Sequence, residues 1–156
     1  MNIAIVSYYF NDHHAEGIVT AKLARGLSEA GHTVTVFGNL IGNQKIVDKN
    51  SVNLNYFKIT SNIPSWWKFL KKVIPPISIG KKILAIPNII TYNSPHDYGW
   101  IIEARNALLK EHRRRPFDIV HSRLNPHSSH QVALSIKKAV PKIPWCAYFS
   151  DPWPPH

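Results

Sequence analysis

The chain has 156 residues, 44% of them hydrophobic and 18% charged, the make-up of one globular domain with a real core and not of a disordered chain. Nineteen Lys and Arg against nine Asp and Glu leave a formal net charge of +10, which suits an anionic partner: nucleic acid, a phosphate-bearing ligand or a membrane surface. The single cysteine, Cys146, excludes an internal disulfide framework and a cysteine-based zinc site, and no apolar run reaches the ~18 residues needed to cross a bilayer.

In chain order, Ile3-Ala4-Ile5-Val6 is short, branched and apolar, as a strand buried on both faces of a parallel sheet should be. Gly17 opens a helical pattern in which Val19, Leu23, Leu27 and Ala30 mark the apolar face, and Gly31-His32 closes it through a left-handed glycine. Thr33 to Phe37 is the next β-branched strand, so residues 3–38 form a βαβ unit. Residues 39–51 are polar and read as a loop; Val52 to Ile59 alternates imperfectly and reads as a third strand near an edge.

Residues 60–97 break the rhythm. Pro64, Pro75, Pro76, Pro87 and Pro95 divide them, which predicts an irregular basic insertion over one face or rim. A helix resumes over 98–112, with Arg113-Arg114-Arg115 complementing its dipole and Pro116 stopping it. Phe117 to His121 is a fourth strand, Ser129 to Val140 a helix with Val132, Ile136 and Val140 on one face, and Pro144 to Phe149 a fifth strand. The expected architecture is α/β: a Rossmann-like doubly wound parallel sheet, order 3-2-1-4-5. The last residues leave a strand, which reads as an N-terminal domain cut from a longer protein.

In such sheets ligands bind beyond the carboxyl ends of the strands, at the point where the order reverses. That singles out residues 8–17, 121–130 and 150–156. In the first, His13 and His14 offer hydrogen-bonding or acid–base groups, and Gly17 lets backbone N–H groups approach a phosphate or sugar hydroxyl. Solvated histidines and a glycine serving only the turn fit the same residues. In the second, Arg123 suits a forked contact with phosphate, while Asn125 and His127 suit hydroxyls; Ser128 fits an N-cap. His121, His127 and His130 match no familiar metal-ligand spacing, so no metal is expected. The third supplies Asp151 and Trp153, the latter equally suited to packing. No G-x-G-x-x-G follows the first strand, no acid follows the second, and no glycine precedes Lys-Ser/Thr, which argues against dinucleotide and P-loop sites.

Taken together, the opening strand, bulky loop and small-residue helix, then F-D-I-V-H at 117–121 and S-D-P-W-P at 150–154, resemble the N-terminal half of family 4 glycosyltransferases of the GT-B fold. The resemblance covers residues 1–38 and 117–155. Where many members carry P-P and G-G in the first loop, this chain has Asn11-Asp12 and Glu16-Gly17; where members often carry H-x-H after the fourth strand, it has His121-Ser122-Arg123. The resemblance implies retaining hexosyl transfer from a nucleotide-diphosphate sugar to a sugar or lipid-linked acceptor, without a bound metal or other cofactor, in a cleft between two domains. It makes this chain the acceptor-side domain. Position directly after the fourth strand, at the expected crevice, puts Arg123 and His127 nearest the chemistry, with His13, His14, Glu16, Gly17, His121, Asn125, Asp151 and Trp153 around the ligands. The donor-binding C-terminal domain and its E-x7-E motif are expected outside these residues. The rival is a noncatalytic Rossmann-like module that binds an anionic partner. A nucleic-acid reader ranks lower, because no recognition motif accompanies the charge.

One stretch in the insertion stands apart. Placed on a helix, Trp66, Trp67, Phe69, Leu70, Val73 and Ile74 occupy one arc and Lys68, Lys71 and Lys72 the other, and no acid lies between Asp48 and Asp97. Either this is an amphipathic helix packed on the sheet, or it holds the protein to an anionic bilayer, where each lysine contributes roughly 1 kcal/mol and tryptophans favour the headgroups. With no signal-peptide n-region in residues 1–6, the expected location is cytoplasmic, peripheral on the membrane's cytoplasmic face.

Overall fold

Residues 3–8 are buried without a break, which makes β1 (Asn2–Tyr9) the centre of the sheet. The structure, a computed structural model, describes residues 1–10, 14–39, 53–60, 65–73, 95–123 and 127–150. After β1 come α1 (Ala15–Glu29), β2 (Thr33–Asn39), β3 (Leu54–Ile59), α2 (Ser65–Val73), α3 (Pro95–Arg114), β4 (Ile119–Arg123), α4 (Ser128–Ala139) and β5 (Trp145–Tyr148). The five strands are all parallel, in the order β3-β2-β1-β4-β5. This is the Rossmann-like α/β sheet that the pattern predicts, with helices on both faces.

Alternation along β1 divides the core. Ala4, Val6 and Tyr8 join Phe37, Val120 and the Trp100, Leu108, Val132 and Ile136 side chains of α3 and α4. Ile3 and Ile5 join Val34, Val36 and the Ala21 and Ala24 side chains of α1. The face of α1 differs from the expected one. Val19 is 45% exposed, and the buried positions are Gly17, Thr20, Ala21, Ala24 and Ser28. Small side chains let this helix lie close on the sheet, so the branched residues the periodicity selected fall to the flank or into water. Its end follows expectation: Gly31 has φ 84°, His32 N–H donates to Leu27 O and Gly31 N–H to Ser28 O, which is a Schellman closure.

Strand limits also shift. β1 runs on through Tyr8 and Tyr9, and β4 begins at Ile119, two residues later than Phe117. The reason lies at the amino edge. Asp118 accepts the Asn2 N–H through Oδ2 at 2.7 Å, and its own N–H donates to Asn2 O; Asn2 Nδ2 donates to Pro116 O at 2.8 Å. Phe117 is buried edge-on to Phe37. F-D therefore clamps β4 to β1, and Ser122 and Arg123 become strand residues opposite Ala147 and Tyr148. In α4 the N-cap is His127, and Ser128 lies buried in the first turn instead of capping it. Of the insertion at 60–97, the described residues are Thr60, α2 and the first turn of α3, which starts at Pro95, three residues before the predicted Tyr98.

Candidate functional site

β1 and β4 pair directly, so their carboxyl ends sit side by side where the strand order reverses. Arg123, the last residue of β4, reaches the first turn of α1. Its Nε and Nη2 donate to Glu16 Oε2 at 3.1 and 2.9 Å. The pair is shielded, with the Arg123 side chain 5% and the Glu16 side chain 17% exposed. Tyr148 of β5 covers the guanidinium, its ring centroid 4.1 Å from Cζ. Arg123 is thus held by a carboxylate and an aromatic face and serves to tie α1 to β4. The fork expected for a phosphate is turned on Glu16.

Around this tie, His14 stacks on Tyr9 with centroids 4.1 Å apart, just before α1. Gly17 is buried in the first turn. On the same sheet face, His121 lies between Ile5 and Cys146 in register, and its Nε2 is buried without a partner among the described residues. Burial first, and then the Arg123 charge, pull its pKa below the usual value, which favours a neutral ring.

A second set of groups occupies the opposite face. Trp145 Nε1 donates to Ser122 Oγ at 2.8 Å, and Ser122 Oγ lies 2.7 Å from His130 Nδ1. The hydroxyl accepts from the indole and shares one further hydrogen bond with Nδ1. His130 Nε2 is buried with no partner among the described residues. Burial, followed by His127 and His121, lowers the His130 pKa to about 4. Ser129 Oγ accepts the Tyr8 N–H at 2.9 Å and fastens α4 to the end of β1. The Tyr8 hydroxyl is raised to about 12, chiefly by burial and then by the Asp97 carboxylate beside it.

The rim is also shaped by one glycine. A Cβ on Gly38 would stand 2.9 Å from Phe10 Cβ and 3.2 Å from Ser7 O. Only a residue without a side chain lets the segment leaving β1 pass this close to β2.

Of the predicted site residues, the structure brings together Arg123, Glu16, Gly17 and His14, with His121 two positions from Arg123 and His127 capping α4. His13, Asn125, Asp151 and Trp153 lie outside the described residues. Lys68 and Lys72 are exposed on α2, which also carries Trp66, Trp67 and Lys71. Among the described residues, no three His, Cys, Asp or Glu side chains converge as a metal site would require, and no helix is long and apolar enough to cross a membrane. Sequence reasoning missed the Ser122–His130–Trp145 chain, Ser129, Tyr148 and the Tyr8–Asp97 contact. For Tyr8, Ser122, Ser129 and Tyr148 the signal was position, at or just beyond a strand's carboxyl end; Trp145, which opens β5, and Asp97, in the first turn of α3, carried none. The E-x7-E spacing expected outside these residues also occurs within them, at Glu103 and Glu111. They lie on α3 about 12 Å apart along its axis; Glu111 is buried and bonded to Arg114 near the amino edge, while Glu103 lines an open groove of about 310 Å³ with Ile59, Asn106 and Lys110. Two such separated acids do not form one ligand-gripping motif.

No family model matches the sequence, and no curated protein matches it. Among solved structures, the chain is similar to two crystal structures of the C-terminal domain of a hydrogenase from Pyrococcus furiosus. One has 12% sequence identity and a TM-score of 0.47, covering 94% of this chain and 88% of that one. The other has 16% identity and a TM-score of 0.48, covering 94% and 89%.

Proposed function

We propose that this chain is the acceptor-side domain of a two-domain, family 4-like glycosyltransferase, which moves a hexose with retention from a nucleotide-diphosphate sugar to an acceptor hydroxyl. The observation that carries the reading is the Glu16–Arg123 pair. It joins the segments after β1 and β4, where the family resemblance resides, at the switch point where open parallel sheets take ligands. In this reading Arg123 is a positioning residue that fixes the first turn of α1. The backbone amides of that turn face the donor diphosphate, and they favour the charge that develops as it leaves. His14 and His127, one at each helix start, orient the acceptor by hydrogen bonds. The donor is held mostly by a second domain, and no metal or other cofactor has a role. A cytoplasmic working place, peripheral to a membrane, belongs to the same proposal.

Binding to an immobilised panel of glycans and glycolipid headgroups, alongside titration with nucleotide sugars, tests this. The 156-residue chain is expected to retain an acceptor, to hold nucleotide sugars weakly, and to release no product above blank. Retention of no glycan, or turnover by this chain alone, would overturn the division of labour. Salt-sensitive capture of any polyanion with no preference for a glycan would favour a noncatalytic module.

A further inference from the structure

We infer that α2 is a membrane-docking helix that lies in the headgroup region of an anionic bilayer. Phe69 and Val73, one turn apart on this helix, are 65% and 61% exposed. Lys68 and Lys72 are exposed as well. Among the described elements none packs closely on α2; the faces of the sheet are taken by α1, α3 and α4. An amphipathic helix that packed on the sheet would bury Phe69 and Val73, and this one does not.

Charge and geometry select the occupant. From Lys49 to His96 the chain holds seven lysines (49, 58, 68, 71, 72, 81 and 82) and no acid. By spacing at ~100° per residue, positions 68, 71 and 72 fall on one arc and positions 66, 67, 69, 70 and 73 on the other. A nucleic acid would use the lysines and leave Phe69 and Val73 in water. An anionic bilayer takes both faces at once: lysines at the phosphates, aromatic and branched side chains below them. Lysine, a compact point charge, needs no shaped partner there.

Chain order also brings the approach to α2 from the right rim. β3 ends at Ile59 on the carboxyl edge, and the six steps from Ile59 to Ser65 span at most ~20 Å. α2 therefore leaves from the edge that carries Arg123 and Glu16. Docking by α2 would bring that edge toward the lipid, and the acceptor class that follows is a lipid-linked one. This last step rests on the proposed transferase reading; the docking itself does not.

Sedimentation with vesicles that contain no glycolipid tests the docking alone. The chain is expected to pellet with phosphatidylcholine vesicles containing phosphatidylglycerol, to stay in solution with phosphatidylcholine alone, and to release in 0.5 M salt. The combined Lys68→Glu, Lys71→Glu and Lys72→Glu variant should lose at least about tenfold in partitioning with an unchanged circular dichroism spectrum. For the parent chain, brominated lipids should quench tryptophan emission, which reports insertion without any variant. Equal binding by the triple variant, binding that ignores lipid charge, or absence of quenching would each overturn the inference. Vesicle docking without glycan retention would leave docking intact and remove the transferase reading. Glycan retention without docking would do the reverse.

Discussion

Replacing Arg123 by methionine keeps much of its volume but removes the charge that faces Glu16. The side chains are 5% and 17% exposed, so the stranded Glu16 carboxylate is only partly reached by water. Breaking a fully buried pair this way typically costs about 3–5 kcal/mol; the residual access of Glu16 brings the expectation to about 2–3 kcal/mol. Loss of the Tyr148 stacking over the guanidinium adds about 0.5–1 kcal/mol. Glu16→Gln keeps an acceptor oxygen for Nη2 but not the charge, and should cost about 1–2 kcal/mol. The double variant Arg123→Met/Glu16→Gln removes both charges, and should be less destabilised than the two single losses added together, by at least about 1 kcal/mol. Urea unfolding at pH 7, with midpoint and slope fitted for all variants, measures this cycle. Single losses below about 0.5 kcal/mol, or strict additivity, would show that the pair does not hold α1 to β4.

Gly38→Ala should destabilise by about 1–3 kcal/mol, read as a lower melting temperature, because its Cβ meets Phe10 Cβ and the Ser7 carbonyl at 2.9 and 3.2 Å. Ser122→Ala should cost about 1–3 kcal/mol in urea unfolding, since it strands Trp145 Nε1 and His130 Nδ1 together. His130 gives a signed pH dependence. Its folded pKa of about 4 lies below the ordinary 6.5, so the unfolded chain binds the proton first. The contribution is complete above pH 6.5, falls as the pH drops from there to about 4, and is flat below. The ring is only half-buried, so the shift is worth about 1–2 kcal/mol after solvent screening. The stability that the parent loses between pH 6.5 and 4 should exceed that lost by a His130→Asn variant by this amount; equal losses would place the ring in water.

Branched runs and one glycine made the sheet legible: Ile3 to Val6, Thr33 to Phe37 and Gly31 each became what the pattern implied. Periodicity misled where size mattered more than hydrophobicity, as on α1, whose buried stripe is Gly, Thr, Ala and Ser. Strand ends were hidden because pairing continues through residues that look like loop: Tyr9 opposite Asn39, and Arg123 opposite Tyr148. The site's position followed from topology, but its principal contact did not. Glu16 and Arg123 are 107 residues apart, and nothing in one sequence pairs two such charges. The aspartate of F-D-I-V-H likewise has a partner that one sequence does not reveal: Asp118 spends its carboxylate on the Asn2 amide at the far edge.

The central claim is that an acceptor glycan binds at the carboxyl ends of β1 and β4. Backbone amide shifts of the isotopically labelled chain, followed while a retained glycan is titrated in, test it residue by residue. The account predicts that shifts gather on Tyr9, His14, Glu16, Gly17, Arg123, His127 and Ser129, and leave Asn2, His32 and Asp118 at the amino edge unmoved. Shifts centred on that amino edge, or on the Ile59–Asn106–Lys110 groove beside β3, would contradict it.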